Sequence, residues 1–191
     1  MAKGFTLVEV LAAMFIMLMG VLGVFGLITR TVAFNSSVNS QLVASYLAQE
    51  GLEIVRNIRD ANFLQVHKGV ILPDQWNYGL TSCDAGCEAD YNYNDDVVAL
   101  GSFQNTPLKL NGDGFYTYDA GTDTIFKRKI IITCFSIDAL GMALGVSCIS
   151  PPTPVDLLKI AVDVSWQDKG STRTVKGATE LYNWLTPTPA P

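Results

Sequence analysis

Residues 5–28 read FTLVEVLAAMFIMLMGVLGVFGLI, and Glu9 is the only charge among them. As an α-helix rising about 1.5 Å per residue, the stretch spans about 36 Å, enough for the hydrocarbon core of a bilayer. A cleaved secretory signal has a shorter apolar region of about 7–15 residues and a small-residue cleavage site. Thr31-Val32-Ala33 offers the small residues, but Arg30 stands before them and the apolar run is too long. A plain membrane anchor accounts for the length and leaves Glu9 unexplained. An unpaired carboxylate inside a membrane costs about 2.5–3.5 kcal/mol on insertion scales, so it either stays hydrated near the interface or has a partner.

The residues before Glu9 can supply that partner. Met1-Ala2-Lys3-Gly4 is a short leader with one positive charge. A cut after Gly4 would give Phe5 a free α-amino cation at the start of the apolar helix, and the amine of a neighbouring chain is favoured over the chain's own. Gly4-Phe5-Thr6-Leu7-Val8-Glu9, followed by a continuous apolar helix, resembles the cleavage and methylation signal of type IV prepilins and pseudopilins. The resemblance implies that a prepilin peptidase cuts between Gly4 and Phe5 and that Phe5 is N-methylated. It also implies that Glu9 pairs with the Phe5 amine of an adjacent subunit during assembly of a helical filament. Lys3 fits the positive-inside rule, which puts everything after Ile28 outside the cytoplasm. The implied partners are the peptidase, other pilin subunits and the cytoplasmic membrane, with no cofactor.

Outward from this segment the helical pattern continues. Gly20, Gly23 and Gly26 recur every third residue, either as ordinary membrane-helix glycines or as a place where the helix can stretch. After Arg30 the chain turns amphipathic, with Phe34, Val38, Leu42, Val43, Tyr46, Leu47, Ile54, Val55 and Ile58 at three- and four-residue intervals. Glu53 with Arg56, and Arg56 with Asp60, are opposite charges one turn apart, worth a few tenths of a kcal/mol each. No proline interrupts residues 5–60, so one helix of about 84 Å is expected. A filament that stacks helices in its core has use for such a length. Gln49 to Asp60, and the later Leu181-Tyr182-Asn183-Trp184, are similar to the corresponding parts of V-type minor pilins.

Residues 61–112 lose the periodicity and read as a loop-rich insertion. Phe115 to Tyr118 precedes a turn at 119–123, and residues 124–137 read as β-rich. From Leu158 to Trp166 apolar and polar residues alternate, the clearest half-buried strand. Gln167-Asp168-Lys169-Gly170 reads as a turn, with 171–185 returning as the hairpin partner. A helix followed by antiparallel strands predicts an α+β, type IV pilin-like fold, its sheet packed on the distal half of the helix. The expected organisation is a leader at 1–4, a transmembrane or filament-core helix at 5–30, its amphipathic continuation at 31–60, a head at 61–185 and a Pro-rich tail at 186–191.

Composition narrows the function. Hydrophobic residues make up 49% and charged residues 16%, against roughly 25% charge in average soluble domains. Disorder of the whole chain is excluded, since it requires low hydrophobicity and high charge. Thirteen Lys and Arg against eighteen Asp and Glu give −5, which argues against a nucleic-acid partner. The excess lies in 61–100, where Lys68 faces six acidic residues.

Four cysteines allow three pairings. In an exported head disulfides are the default, and Cys83–Cys87 with Cys134–Cys148 is preferred because both loops are local. A zinc site is the competing reading, but it lacks a second closely spaced pair. Asp90-x-Asn92-x-Asn94 starts like a calcium loop, yet Asp95 and Gly101 stand where Gly and Glu are required. His67 is the sole histidine, read as a surface loop residue. Lys127-Arg128-Lys129 reads as the solvated edge of a strand. No catalytic or metal-ligating constellation emerges. The expectation is a structural subunit, a minor pilin or pseudopilin, held first as a single-pass cytoplasmic membrane precursor with its head outside, then in a cell-surface or periplasm-spanning filament. The alternative is a membrane-anchored, exported binding module with an uncleaved signal anchor.

Overall fold

Leu7 to His67 contains no helix-breaking proline, and the computed structural model folds it as one α-helix, α1. The structure describes residues 4, 6–93, 100–149 and 154–184. The chain divides into two units, Met1–Leu42 and Val43–Pro191.

Within the first unit, α1 is apolar all round from Val10 to Ile28. Leu11, Phe15, Leu18, Leu22 and Phe25 are exposed, and none of the most apolar window is buried. A helix of this kind needs lipid or other helices to cover it, and it is long and apolar enough to cross a membrane.

In the second unit the helix becomes one-sided. Ala44, Leu47, Ala48, Val55 and Ile58 are buried in the hydrophobic core. The helix also runs past residue 60, where the sequence pattern breaks. Asn62 causes the apparent break, because it is a polar residue at a core-facing position. It is fully buried, and its Nδ2 donates to the carbonyls of Trp76 at 3.0 Å and Tyr78 at 2.9 Å, which offsets the desolvation of that NH2 group while Oδ1 stays without a partner among the described residues. The ring of Phe63 stacks on that of Trp76, with centroids 5.8 Å apart. His67 therefore closes the helix instead of lying in a loop. A Schellman motif terminates it: Val70 N donates to Gln65 O, Gly69 N donates to Val66 O, and Gly69 takes φ +73°.

The strands are β1 (Cys87–Glu88), β2 (Gly101–Ser102), β3 (Lys109–Leu110), β4 (Tyr116–Thr117), β5 (Thr122–Asp123), β6 (Lys127–Ile137), β7 (Ala143–Val146), β8 (Leu157–Asp168) and β9 (Ser171–Tyr182). Among the described residues the main sheet is antiparallel in the order β2-β1-β6-β8-β9, with β7 also paired to β6. A small sheet, β4-β3-β5, stands apart from it. The fold is α+β and pilin-like, with the helix packed on an antiparallel sheet.

Alternation decides the faces. Arg128, Ile130, Ile132 and Cys134 of β6, and Leu158, Ile160, Val162, Val164 and Trp166 of β8, are buried. The β8–β9 hairpin turns through Lys169 and Gly170 at φ +52° and +83°, values of the turn that matches strand twist. Residues 124–126 leave the strand pattern that the sequence predicts there. Thr124 Oγ1 donates to Leu108 O at 2.6 Å and accepts from Phe126 N, and Thr124 N and Phe126 O both bond the backbone of the single residue Leu108, an irregular pairing that is not a regular ladder.

Disulfides link Cys83 to Cys87 and Cys134 to Cys148. The second closes a longer loop, across 14 residues against 4. Chain entropy then assigns it about 3 kcal/mol and the first about 2 kcal/mol. Urea denaturation of the Cys134→Ser/Cys148→Ser protein is expected to lose about 1 kcal/mol more than the Cys83→Ser/Cys87→Ser protein. The reverse ranking would contradict this account.

Candidate functional site at the N-terminus

Thr6 begins the helix. Its carbonyl accepts from Glu9 N at 3.1 Å and Val10 N at 3.3 Å, and its Oγ1 lies 3.4 Å from Glu9 N. Thr6-Leu7-Val8-Glu9 has the spacing of a capping box, with threonine at the N-cap and glutamate three residues on. Sequence reasoning passed over this signal, which explains why the helix starts at Leu7. Glu9 lies in the first turn, where the partial positive charge of the helix end favours a carboxylate. It is exposed, and among the described residues no cation stands within ion-pair distance.

Gly4 is exposed as well, and a Cβ built on it would meet nothing within 4 Å. The fold of this chain therefore places no steric demand for glycine there. Phe5, the residue expected to carry the new amine and its methyl group, lies outside the described residues. Gly20, Gly23 and Gly26 also face open space. Just beyond them Thr29 Oγ1 donates to Gly26 O at 3.0 Å and Thr31 Oγ1 to Leu27 O at 2.9 Å, so both hydroxyls are satisfied within the helix.

The head holds a second concentration of charge, which the sequence pattern does not reveal. Arg128 is fully buried, not part of a solvated strand edge. Its parity on β6 matches Ile130 and Ile132, so it points into the core. There Nη1 donates to Leu47 O at 3.1 Å and lies 3.1 Å from Glu50 Oε1, while Nη2 donates to Ala89 O. Its neighbours point the other way: Lys129 Nζ sits 5.3 Å from the centre of the Phe103 ring, and Lys127 Nζ donates to Asn105 Oδ1. Tyr118 donates its hydroxyl to Arg128 O at 3.1 Å, and burial pushes its phenol pKa up against the opposing pull of the Arg128 charge.

The acidic stretch is occupied by the protein's own donors. Glu88 accepts from Gln104 N, Thr106 N and Thr106 Oγ1. Asp90 accepts from Thr117 Oγ1 at 2.7 Å, Tyr118 N at 2.9 Å and Asn92 N at 3.2 Å. Both carboxylates are spent on backbone and hydroxyl groups, and the other calcium-like positions, Asn94 and Asp95, lie outside the described residues. Among the described residues no group of three or more His, Cys, Asp or Glu side chains is gathered that could hold a metal ion.

An apolar, uncovered helix at the N-terminus and a head in which the helix packs on an antiparallel sheet make an α+β, type IV pilin-like architecture. Residues 1–25 match the family model described as the prokaryotic N-terminal methylation motif, which supports a type IV prepilin or pseudopilin family. No curated protein and no solved structure matches the chain. The motif implies processing by prepilin peptidase, and with the long apolar helix it fits a membrane-anchored precursor.

Proposed function

We propose that this chain is a minor pilin or pseudopilin that enters a type IV pilus-like filament through its N-terminal helix. The peptidase removes residues 1–4, Phe5 is N-methylated, and Glu9 meets the Phe5 amine of a neighbouring subunit. Residues 5–30 serve first as membrane anchor and then as filament core, with 31–60 as their amphipathic continuation. The head, 61–185, stays outside the cytoplasm, and its resemblance to V-type subunits favours a minor rather than a major role.

One observation carries this reading. Gly4 and Glu9 stand in register before a helix whose apolar surface is uncovered, although the fold itself needs no glycine at position 4. Glycine there suits the narrow site of a peptidase. Mass spectrometry of the protein recovered from its native host is expected to find a mature chain beginning at N-methylated Phe5. In the Gly4→Phe protein, cleavage should fall at least about tenfold while α1 and the head remain folded. A native chain that retains Met1 to Gly4 would instead favour an exported binding module with an uncleaved anchor.

A further inference from the structure

Asn111-Gly112 is the only Asn-Gly pair in the sequence, and it opens the turn between β3 and β4. An asparagine can lose its side-chain amide without an enzyme when the next backbone nitrogen attacks the side-chain carbonyl carbon. Glycine, which lacks a Cβ, leaves that nitrogen least crowded. A fold suppresses the reaction where it holds the carbon away from the nitrogen or engages the nitrogen in a hydrogen bond.

This turn does neither. Its two ends are fixed, because Asn111 N donates to Phe115 O at 3.0 Å and Gly114 N donates to Asn111 O at 3.2 Å. Gly112 is exposed, and its own N–H donates to nothing among the described residues. A Cβ on Gly112 would meet nothing within 4 Å, and its φ is not left-handed, so the turn makes no demand for glycine there. What glycine does supply is an open nitrogen.

The asparagine side chain is held at both of its ends. Oδ1 accepts from Asp113 N at 3.0 Å and Phe115 N at 2.9 Å, and Nδ2 donates to Tyr91 Oη at 3.1 Å. To reach the N–H two residues on, the amide folds back across the Gly112 peptide as in an Asx turn, which carries Cγ toward the unengaged nitrogen. The two N–H groups rest on the oxygen that becomes negative when that nitrogen attacks, which is the arrangement of an oxyanion hole. The Tyr91 hydroxyl rests on the nitrogen that has to leave.

We propose that Asn111 is a self-modification site, converted through a cyclic imide to aspartate and isoaspartate. The bond from Gly112 N to Asn111 Cγ forms as the Gly112 amide proton passes to water, and the carbonyl electron pair moves onto Oδ1 between its two donors. The Cγ–Nδ2 bond breaks as that oxyanion collapses. Nδ2 takes a proton from the Tyr91 hydroxyl, which water restores, and leaves as ammonia. Water then opens the imide at either carbonyl, and nothing is oxidised or reduced. Both products add a carboxylate beside Tyr91. Isoaspartate also inserts a methylene into the main chain of the turn, next to Phe115, whose ring lies 5.3 Å from that of Tyr91.

The test incubates the full chain in detergent at neutral pH and follows residue 111 by peptide mass spectrometry, with isoaspartate separated from aspartate by chromatography. A capped peptide of residues 110–115, which has the same Asn-Gly pair without Tyr91, runs in parallel. The folded chain is expected to convert Asn111 at least about tenfold faster than the peptide, a modest share of what one oxyanion donor contributes in an enzyme. Gly112→Ala fits the open turn and should slow the conversion about tenfold by crowding the nitrogen. Tyr91→Phe keeps a ring against Phe115, removes the proton donor, and should slow it at least about threefold while the turn amides exchange hydrogen as in the wild type. The proposal is overturned if the chain converts no faster than the peptide, or if either variant converts at the wild-type rate.

Discussion

Arg128→Ala is expected to destabilise the head by about 3–5 kcal/mol, the range for removing one partner of a buried ion pair. Arg128 is fully enclosed, and its guanidinium joins three segments: α1 at Leu47 and Glu50, the residue after β1 at Ala89, and β6 itself. Truncation leaves the Ala89 carbonyl without its donor, takes the cation from Glu50 and opens a cavity beside the helix. Glu50→Gln should cost less, about 1–3 kcal/mol, because the side chain as a whole is 35% exposed, although the Oε1 that faces Arg128 is itself buried and its charge is lost to the guanidinium. Gly51 belongs to the same arrangement. A Cβ there would lie 2.9 Å from Val162 Cγ1 and 3.1 Å from Arg128 Cδ, so the missing side chain is what lets the arginine cross beneath the helix. Glycine within a helix costs about 0.8–1.0 kcal/mol relative to alanine, which the close approach offsets. Urea denaturation of the full chain in detergent, followed by emission of the buried Trp76 and Trp166, measures both variants. Equal small losses would mean that the arginine is a tolerated charge and not the joint between helix and sheet.

The same residue marks where sequence reading runs out. The alternation from Leu158 to Trp166 and the Lys169-Gly170 turn were legible because they are local, and the β8–β9 hairpin follows from them. The sequence places Arg128 on a solvated edge because its partners, Leu47, Glu50 and Ala89, are distant in the chain and no periodicity reports them. Asn62 misleads in a related way: a buried polar residue whose Nδ2 is bound by the Trp76 and Tyr78 carbonyls looks like the end of an apolar pattern. The two-residue strands β1 to β5 carry no pattern at all, since the bonds of Glu88, Asp90 and Asn111 side chains to nearby backbone and hydroxyl groups organise them. At the other end, the apolar run from Phe5 to Ile28 and the position of Glu9 were legible, whereas the capping role of Thr6 went unnoticed although its spacing was in plain view.

That capping role makes Glu9 the position where the proposed function meets its hardest test. A glutamate three residues after an N-cap threonine supports the first helical turn whether or not any neighbour exists. Removing it as Glu9→Val confounds two losses, the cap and the charge. Glu9→Gln separates them, because glutamine serves at the same capping position but cannot neutralise an amine. Under the proposed function Glu9→Gln is cleaved like the wild type, keeps its helix and fails to assemble. Each neighbour's Phe5 cation would be left unpaired in an apolar surrounding, a penalty of about 2.5–3.5 kcal/mol. At about 1.4 kcal/mol per decade, that weakens each contact roughly 60- to 300-fold. Sheared filaments should therefore lose the Glu9→Gln subunit while the membrane fraction retains its mature form, and Glu9→Val should behave no better. Wild-type incorporation of Glu9→Gln would confine Glu9 to the first turn of its own helix and remove the electrostatic basis for recruitment.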